Sequence, residues 1–236
     1  MRTRSAFQFR AWVLLCACLA ANVLFQRLHA PDWSADYVLG APPPAAVIRA
    51  ATLGEDVFAG YLVNLYLQNF NVHLGSVTAI AAIDRSSVIR WLDLATALDP
   101  DTGYPLLLAS RHFAETGTPA ERRMMLEWVY RRFEERPNER WPWLVHAVFV
   151  ARHVLNDDAL AASYAAALRV QVVDPKAPSW VRQMELLLRA DLGEVEDAKV
   201  ILNGLVASGQ IRSPAELKFL ESRLPAADFG TETPEM

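Results

Sequence analysis

Four prolines set the scale of this chain. Pro100, Pro137, Pro175 and Pro214 are separated by 37, 38 and 39 residues, in the dipeptides Asp99-Pro100, Arg136-Pro137, Asp174-Pro175 and Ser213-Pro214. Proline lacks the N–H that a helix interior needs but is tolerated in a first helical turn, so a regular series of prolines marks helix boundaries. An aromatic follows each proline by four or five residues: Tyr104, Trp141, Trp180 and Phe219. A period of this length leaves room for two helices per unit, the signature of arrays built from stacked helix pairs.

The segments between the prolines carry helical periodicity. Val88, Trp91, Ala95 and Leu98 recur every three or four residues, as do Trp180, Val181, Met184, Leu187 and Leu188, and again Val195, Ala198, Ile201, Leu202 and Leu205. Upstream, Leu53, Val57, Tyr61 and Leu65 recur every four. Each set forms one apolar helix face, expected to point inward. Thr118, Pro119 and Glu121 have the chemistry of a capping box with proline in the first turn, and Ser213, Pro214 and Glu216 repeat it. Asp157-Asp158 is placed to open a helix near Ala159, where acid favours the helix dipole. Only "VTAIAAI" (77–83) has any strand character, and it reads better as an ordered loop. The expected body is therefore all-α.

These features resemble a tetratricopeptide-like repeat array over about residues 86–224. Gly193 followed five residues later by Ala198 is the best local match, and Asp99-Pro100 and Asp174-Pro175 resemble that repeat's terminal proline. The chain departs from the pattern at Leu186, where a small residue is usual, at Asn156 in place of glycine, and at Arg122 in place of alanine. The resemblance implies a short right-handed solenoid of antiparallel helix pairs over residues 51–224, with a flexible tail at 225–236. The whole chain resembles membrane-anchored bacterial proteins of this helical type, a likeness that implies no activity.

The N-terminus reads as a membrane segment. A basic lead (1–10) precedes sixteen uncharged residues between Arg10 and Arg27. Sixteen falls short of the roughly twenty residues a span needs. Phe7, Phe9 and snorkelling arginines at both ends extend it. Residues 11–28 are thus expected to form a single transmembrane anchor. A cleaved signal and a lipoprotein signal around Cys16 and Cys18 are the alternatives, but "NVLFQRLHA" offers no small-residue cleavage site. All three export the body, leaving the lead in the cytoplasm and the solenoid in the bacterial periplasm. The prolines of "LGAPPPAAV" make residues 29–50 a stiff spacer.

Charge and composition exclude several functions. Arg2, Arg4, Arg10 and Arg27 are unaccompanied by acid in the first 28 residues. Removing those four from the 23 basic residues leaves 19 against 27 acidic ones, a net of −8 for the body. An acidic body has no electrostatic footprint for nucleic acid. Cysteine is confined to positions 16 and 18, so the body has neither disulfides nor a zinc–cysteine site.

"RWPWLVHAVFVARHV" (140–154) is apolar on nearly every face, as befits a helix covered by its partner and by both neighbouring repeats. His146 and His153 lie about 10 Å apart along it, too far to share a metal. The four-residue spacing of helical metal ligation is absent. No nucleophile elbow surrounds Ser110, no phosphate-cradling glycine loop is present, and "YRRFEERPNER" reads as a solvated helix end. The expected function is a non-catalytic, cofactor-free protein-interaction module, an assembly factor or accessory subunit of an envelope complex. Arg111, His112, His146, Arg152, His153 and Arg182 are its expected partner-binding residues. The competing reading is a ligand- or metal-binding, or enzymatic, helical domain using His112, His146 and His153.

Overall fold

The computed structural model describes residues 2–28, 39–73, 81 and 83–224. Chain contacts divide it into two units, Met1–Val38 and Leu39–Met236, which are described separately. Among the described residues the protein has eleven α-helices, one π-helical turn and no strand.

The first unit contains one helix, α1 (Arg2–Leu28), without a break between the basic lead and the apolar segment. At 1.5 Å per residue its 27 residues extend about 40 Å. Its described side chains, at 12–25 and 27, are all exposed, including Trp12, Leu14, Leu19 and Leu24. Among the described residues no helix is long and apolar enough to cross a membrane.

The second unit begins with Leu39, already buried, and Gly40, whose carbonyl accepts the Trp91 indole N–H at 2.8 Å. The expected spacer ends earlier than its sequence suggests. Pro44, with φ −55° and ψ 141°, caps α2 (Ala45–Ala51), so the alanines after the triple proline are helical. Then come α3 (Asp56–His73) and α4 (Arg85–Leu98). Most of "VTAIAAI" lies outside the described residues. Next, α5 (Tyr104–Leu107) runs into a π-turn (Leu108–Phe113), closed where Ala114 N–H reaches the Ala109 carbonyl at 3.0 Å. The remainder is α6 (Pro119–Glu135), α7 (Pro137–His153), α8 (Asp158–Gln171), α9 (Ser179–Asp191), α10 (Val195–Ala207) and α11 (Pro214–Arg223).

Within the second unit, helices pack chiefly on elements close to them in sequence. The closest pairs are α3–α4, α6–α7, α7–α8, α8–α9 and α9–α10, with α4–α6 and the π-turn–α7 contact behind them. Short connections make the successive pairs helical hairpins. The period written in the prolines reappears in the cross-links. Apart from Trp91–Gly40 and the sixteen-residue Arg169–Glu185 link, the side-chain hydrogen bonds between described residues more than ten apart span 31 to 40 residues. Trp128 donates to Asp93 at 2.7 Å, Arg136 to Asp101 at 2.5 Å and Arg152 to Asp191 at 3.3 Å. Asn138 Oδ1 accepts from the Val173 and Asp174 amides, each at 2.9 Å. Each of these links, all within the second unit, joins segments about one proline spacing apart.

A second periodic device lies in the turns. Gly117, Asn156 and Gly193 have φ of +88°, +54° and +80°. They sit between the π-turn and α6, between α7 and α8, and between α9 and α10. Asn156 is not a departure from the corner's requirement, because asparagine is the commonest non-glycine residue in left-handed backbone.

The capping expectations divide. Thr118 and Glu121 form the reciprocal box, with Glu121 N–H to Thr118 Oγ1 at 3.3 Å and Thr118 N–H to Glu121 Oε2 at 2.7 Å. Asp157 caps α8 through the Leu160 amide. Ser213 makes no such bond; Glu216 instead accepts from Gln183 Nε2 at 2.6 Å, drawn across to α9. The charged stretch around Arg136 is also less solvated than expected. Arg140 is buried and its guanidinium serves the Arg132 and Pro100 carbonyls and Glu135.

A continuous core runs from Leu39 to Leu188, and a smaller one joins Leu186, Leu202, Leu205, Ile211 and Leu220. On α9, which contributes to both, Glu185 is buried and held by Arg169 at 2.7 Å and Arg189 at 3.1 Å.

Candidate functional site

The apolar stripes of α7 and α9 do not close on the core alone. On α9 the buried residues include Val181, Gln183, Glu185 and Leu186, whereas Trp180 is 44% exposed and Met184 and Leu187 are half-buried. The stripe expected to face inward lies largely along a groove. On α7, Leu144, Ala147, Val148 and Val150 are buried, yet Phe149 is 52% exposed. The expectation that almost no face of this helix reaches water therefore fails at Phe149 and His153.

Between them, α7 and α9 enclose a groove of about 330 Å³. Phe149, Arg152 and His153 line it from α7, and Trp180, Met184 and Leu187 from α9. Trp180 is steadied by Trp141, whose ring meets it edge-on at 5.7 Å. Arg152 and Asp191 pair at 3.3 Å at its margin. Such a partly exposed pair adds at most about 1 kcal/mol, so it shapes the groove more than it stabilises the fold.

His146 and His153 bracket Phe149, at ring-centre distances of 5.9 Å and 4.8 Å. His146 Nε2 also lies 3.1 Å from Glu115 Oε1. Burial holds its pKa below the ordinary histidine value, opposed by the hydrogen bond to Glu115 and reinforced by Arg111. His112 packs edge-on to Phe113 at 5.3 Å. Its pKa is likewise lowered, first by burial and then by Arg85, against the pull of Glu115. Both rings favour the neutral state that a packed interior demands.

The expected partner-binding residues thus fall into three places. Arg152 and His153 line the groove; His146 adjoins it through Phe149 and meets Glu115, whose charge His112 also feels, while Arg111 acts on His146. Arg182 stands apart, with its guanidinium 3.5 Å from the Asp174 carbonyl, beside Arg169 and Arg212 in another cavity. Sequence reasoning missed Phe149, Trp180, Met184 and Leu187 as surface residues because their periodicity is that of a core face. Among the described residues no three histidine, cysteine or acidic side chains are placed to hold a metal ion. No family model, curated protein or solved structure matches the chain.

Proposed function

We propose that this protein is a membrane-tethered, non-catalytic interaction module, an assembly factor or accessory subunit of a bacterial envelope complex. The observation that carries the reading is the α7–α9 groove. Two helices present aromatic and apolar side chains to solvent at positions where their own periodicity calls for cover. A partner helix or peptide supplies that cover, with Phe149 and Trp180 as its anchors. Arg152, His153 and His146 set its polar margin, and Arg111 and His112 extend it; Arg182 contributes from a separate surface. In this reading the hairpins form a short right-handed, tetratricopeptide-like solenoid. The cross-links of 31 to 40 residues within the body and the left-handed corners at Gly117, Asn156 and Gly193 support it.

The anchor is α1. The uncharged run between Arg10 and Arg27 and the exposure of its described leucines support a single span with the lead in the cytoplasm; that run alone is too short to cross, and Phe7, Phe9 and the flanking arginines complete it. The body then stands in the periplasm.

The test is purification of the full-length protein after in-cell crosslinking, beside Phe149→Ala/Trp180→Ala and a variant lacking residues 1–28. Both positions are about half exposed, so the substitutions leave the fold intact. The expected result is one membrane complex in stoichiometric yield, lost with the double variant. Undiminished recovery with that variant removes the groove from the interface. Recovery of the protein alone refutes the module.

A further inference from the structure

Helix α3 packs on α4 through a face other than the one its sequence advertises. Ala59, Val63, Leu67 and Phe70 are buried, whereas Leu53, Val57, Tyr61 and Leu65, the stripe that periodicity assigns to the core, are exposed. Val57, Tyr61 and Leu65 form one wall of a concave cavity of about 380 Å³, and the connection after α4 forms the other. Both walls are fixed by the fold. A Cβ on Gly60 would stand 2.9 Å from Asp99 Cβ, so glycine lets the end of α4 close on α3. Across the cavity, Thr102 Oγ1 accepts the Tyr104 amide at 3.3 Å, and Tyr104 O–H donates to Gln68 Oε1 at 2.8 Å.

Inside, two acceptors lack donors. Asn64, one turn beyond Gly60, lines the cavity and is only 4% exposed, yet no group of the protein donates to its Oδ1. A buried carbonyl without a donor is costly and rare in a folded chain. Asp99 adds a carboxylate at the C-cap of α4, where the helix dipole favours a cation and the last turn holds no basic residue. The two arginines that reach this connection are engaged elsewhere: Arg136 with Asp101 and Glu139, Arg140 with Glu135 and the Pro100 carbonyl. Among the described residues no cation pairs with Asp99.

These groups define their complement. A carboxylate and an unpaired carbonyl together require a cation with more than one N–H. The rings of Tyr61 and Tyr104 suit such a cation, and Val57 and Leu65 suit a carbon body attached to it. An anion is repelled, and a bare hydrocarbon leaves both acceptors unpaired. We infer that the cavity between α3 and the α4–α5 connection binds a small organic ammonium ion. Its N–H groups donate to Asp99 and to Asn64 Oδ1, and its apolar body lies against Tyr61 and Leu65. The site shares no residue with the α7–α9 groove and does not rest on the interaction reading.

The test is calorimetric titration of the full-length protein in a non-ionic detergent. The probes are 2-phenylethylammonium, the neutral 2-phenylethanol, the anionic phenylacetate and methylammonium, which lacks the apolar body. The expected result is saturable binding of 2-phenylethylammonium, with the alcohol and methylammonium about tenfold or more weaker and phenylacetate silent. Asp99→Asn weakens the cation about tenfold or more and removes its advantage over the alcohol. Asn64→Leu, close in size, weakens it several-fold. Without probe it leaves the urea midpoint unchanged or raised, because it removes an acceptor that the fold does not pair. Absence of saturable 2-phenylethylammonium binding overturns the inference, as does equal affinity for cation and alcohol or full affinity in Asp99→Asn. A urea midpoint lowered by Asn64→Leu makes Asn64 a structural residue and also overturns it. Loss of the crosslinked complex with Asp99→Asn assigns the cavity to a partner's lysine instead, a further outcome that overturns it.

Discussion

Replacing Gly193 by alanine tests the turn geometry on which the hairpins depend. At φ +80° an alanine Cβ sits in backbone that side chains disfavour, yet no atom lies within 4 Å of where it would point. The perturbation is therefore conformational strain without a clash, about 1–2 kcal/mol. For a body of this size that lowers Tm by roughly 2–8 °C. Gly117 at φ +88° carries the same strain, and its Cβ would also meet Glu121 Oε2 at 2.8 Å and Arg85 Nη2 at 3.0 Å. Those atoms belong to the capping box and to a buried arginine, so relief of the clash disturbs both. Gly117→Ala is thus the more damaging of the two.

Asn156, at φ +54°, completes the series. Asn156→Gly is close to neutral because relieved strain is offset by greater unfolded-state freedom, whereas Asn156→Val costs about 2 kcal/mol or more. The assay is urea and thermal unfolding of the full-length variants in mild detergent, followed by far-UV circular dichroism and tryptophan fluorescence. The expected order of stability is Asn156→Gly, then Gly193→Ala, then Gly117→Ala. Equal stability of Gly193→Ala and the parent would refute the left-handed corner. A Gly117→Ala no worse than Gly193→Ala would refute the packing around it.

Three further outcomes follow from the same structure. Because burial depresses the pKa of His112 and His146, the unfolded chain takes up protons first as pH falls below about 6.5. Stability is then full above that value and falls until the lower folded-state values are passed; His112→Gln/His146→Gln flattens the slope of the urea midpoint against pH there. Glu185→Ala strips Arg169 and Arg189 of their shared carboxylate between the two cores and costs about 2 kcal/mol, tempered because both arginines are partly exposed; denaturant titration measures it. Thr118→Ala costs about 1 kcal/mol while Ser213→Ala is nearly silent in the same titration, since only the first serves as a side-chain cap.

Much of this fold is legible in local chemistry. The prolines, the Thr118–Glu121 box, Asp157 and Gly193 act within a turn or two of themselves, and the helices begin and end where they indicate. What is not legible is any choice made by a distant partner. Ser213 and Glu216 have the residues of a capping box, but Gln183, 33 residues from Glu216, claims the carboxylate. Arg140 looks like part of a solvated charged turn until Pro100 and Glu135 close around it. The π-turn that carries Arg111 and His112 has no composition cue, and it decides that Ser110 is buried and Arg111 exposed. Phe149 brings the two histidines of α7 into one aromatic row, something their seven-residue spacing does not suggest.

The most informative mismatch lies in two apolar stripes. Periodicity reports that a face of a helix is covered; it does not report by what. Along α4 and α10 the stripe and the buried face largely coincide: Val88, Trp91, Ala95 and Leu98 are buried, as are Ala198, Leu202 and Leu205. Along α3 they part, and along α9 they part in part: Val181 and Leu188 are buried, Trp180, Met184 and Leu187 line the groove, and Gln183 and Glu185 are buried beside them. Burying a glutamate while exposing a tryptophan makes sense only if the exposed face has its own use, since the reverse arrangement lowers the free energy of an isolated chain. A face patterned for burial and left bare marks a contact made outside the chain. By that argument α3 and α9 carry two different contacts. Val57, Tyr61 and Leu65 of α3 line a cavity with Asp99, Thr102 and Tyr104, while the stripe on α9 faces the groove walled by α7. Aspartate at Trp180 therefore abolishes partner recovery, and aspartate at Tyr61 leaves it intact. If Tyr61→Asp abolished recovery as well, the two stripes would be parts of one surface and the separation would fall.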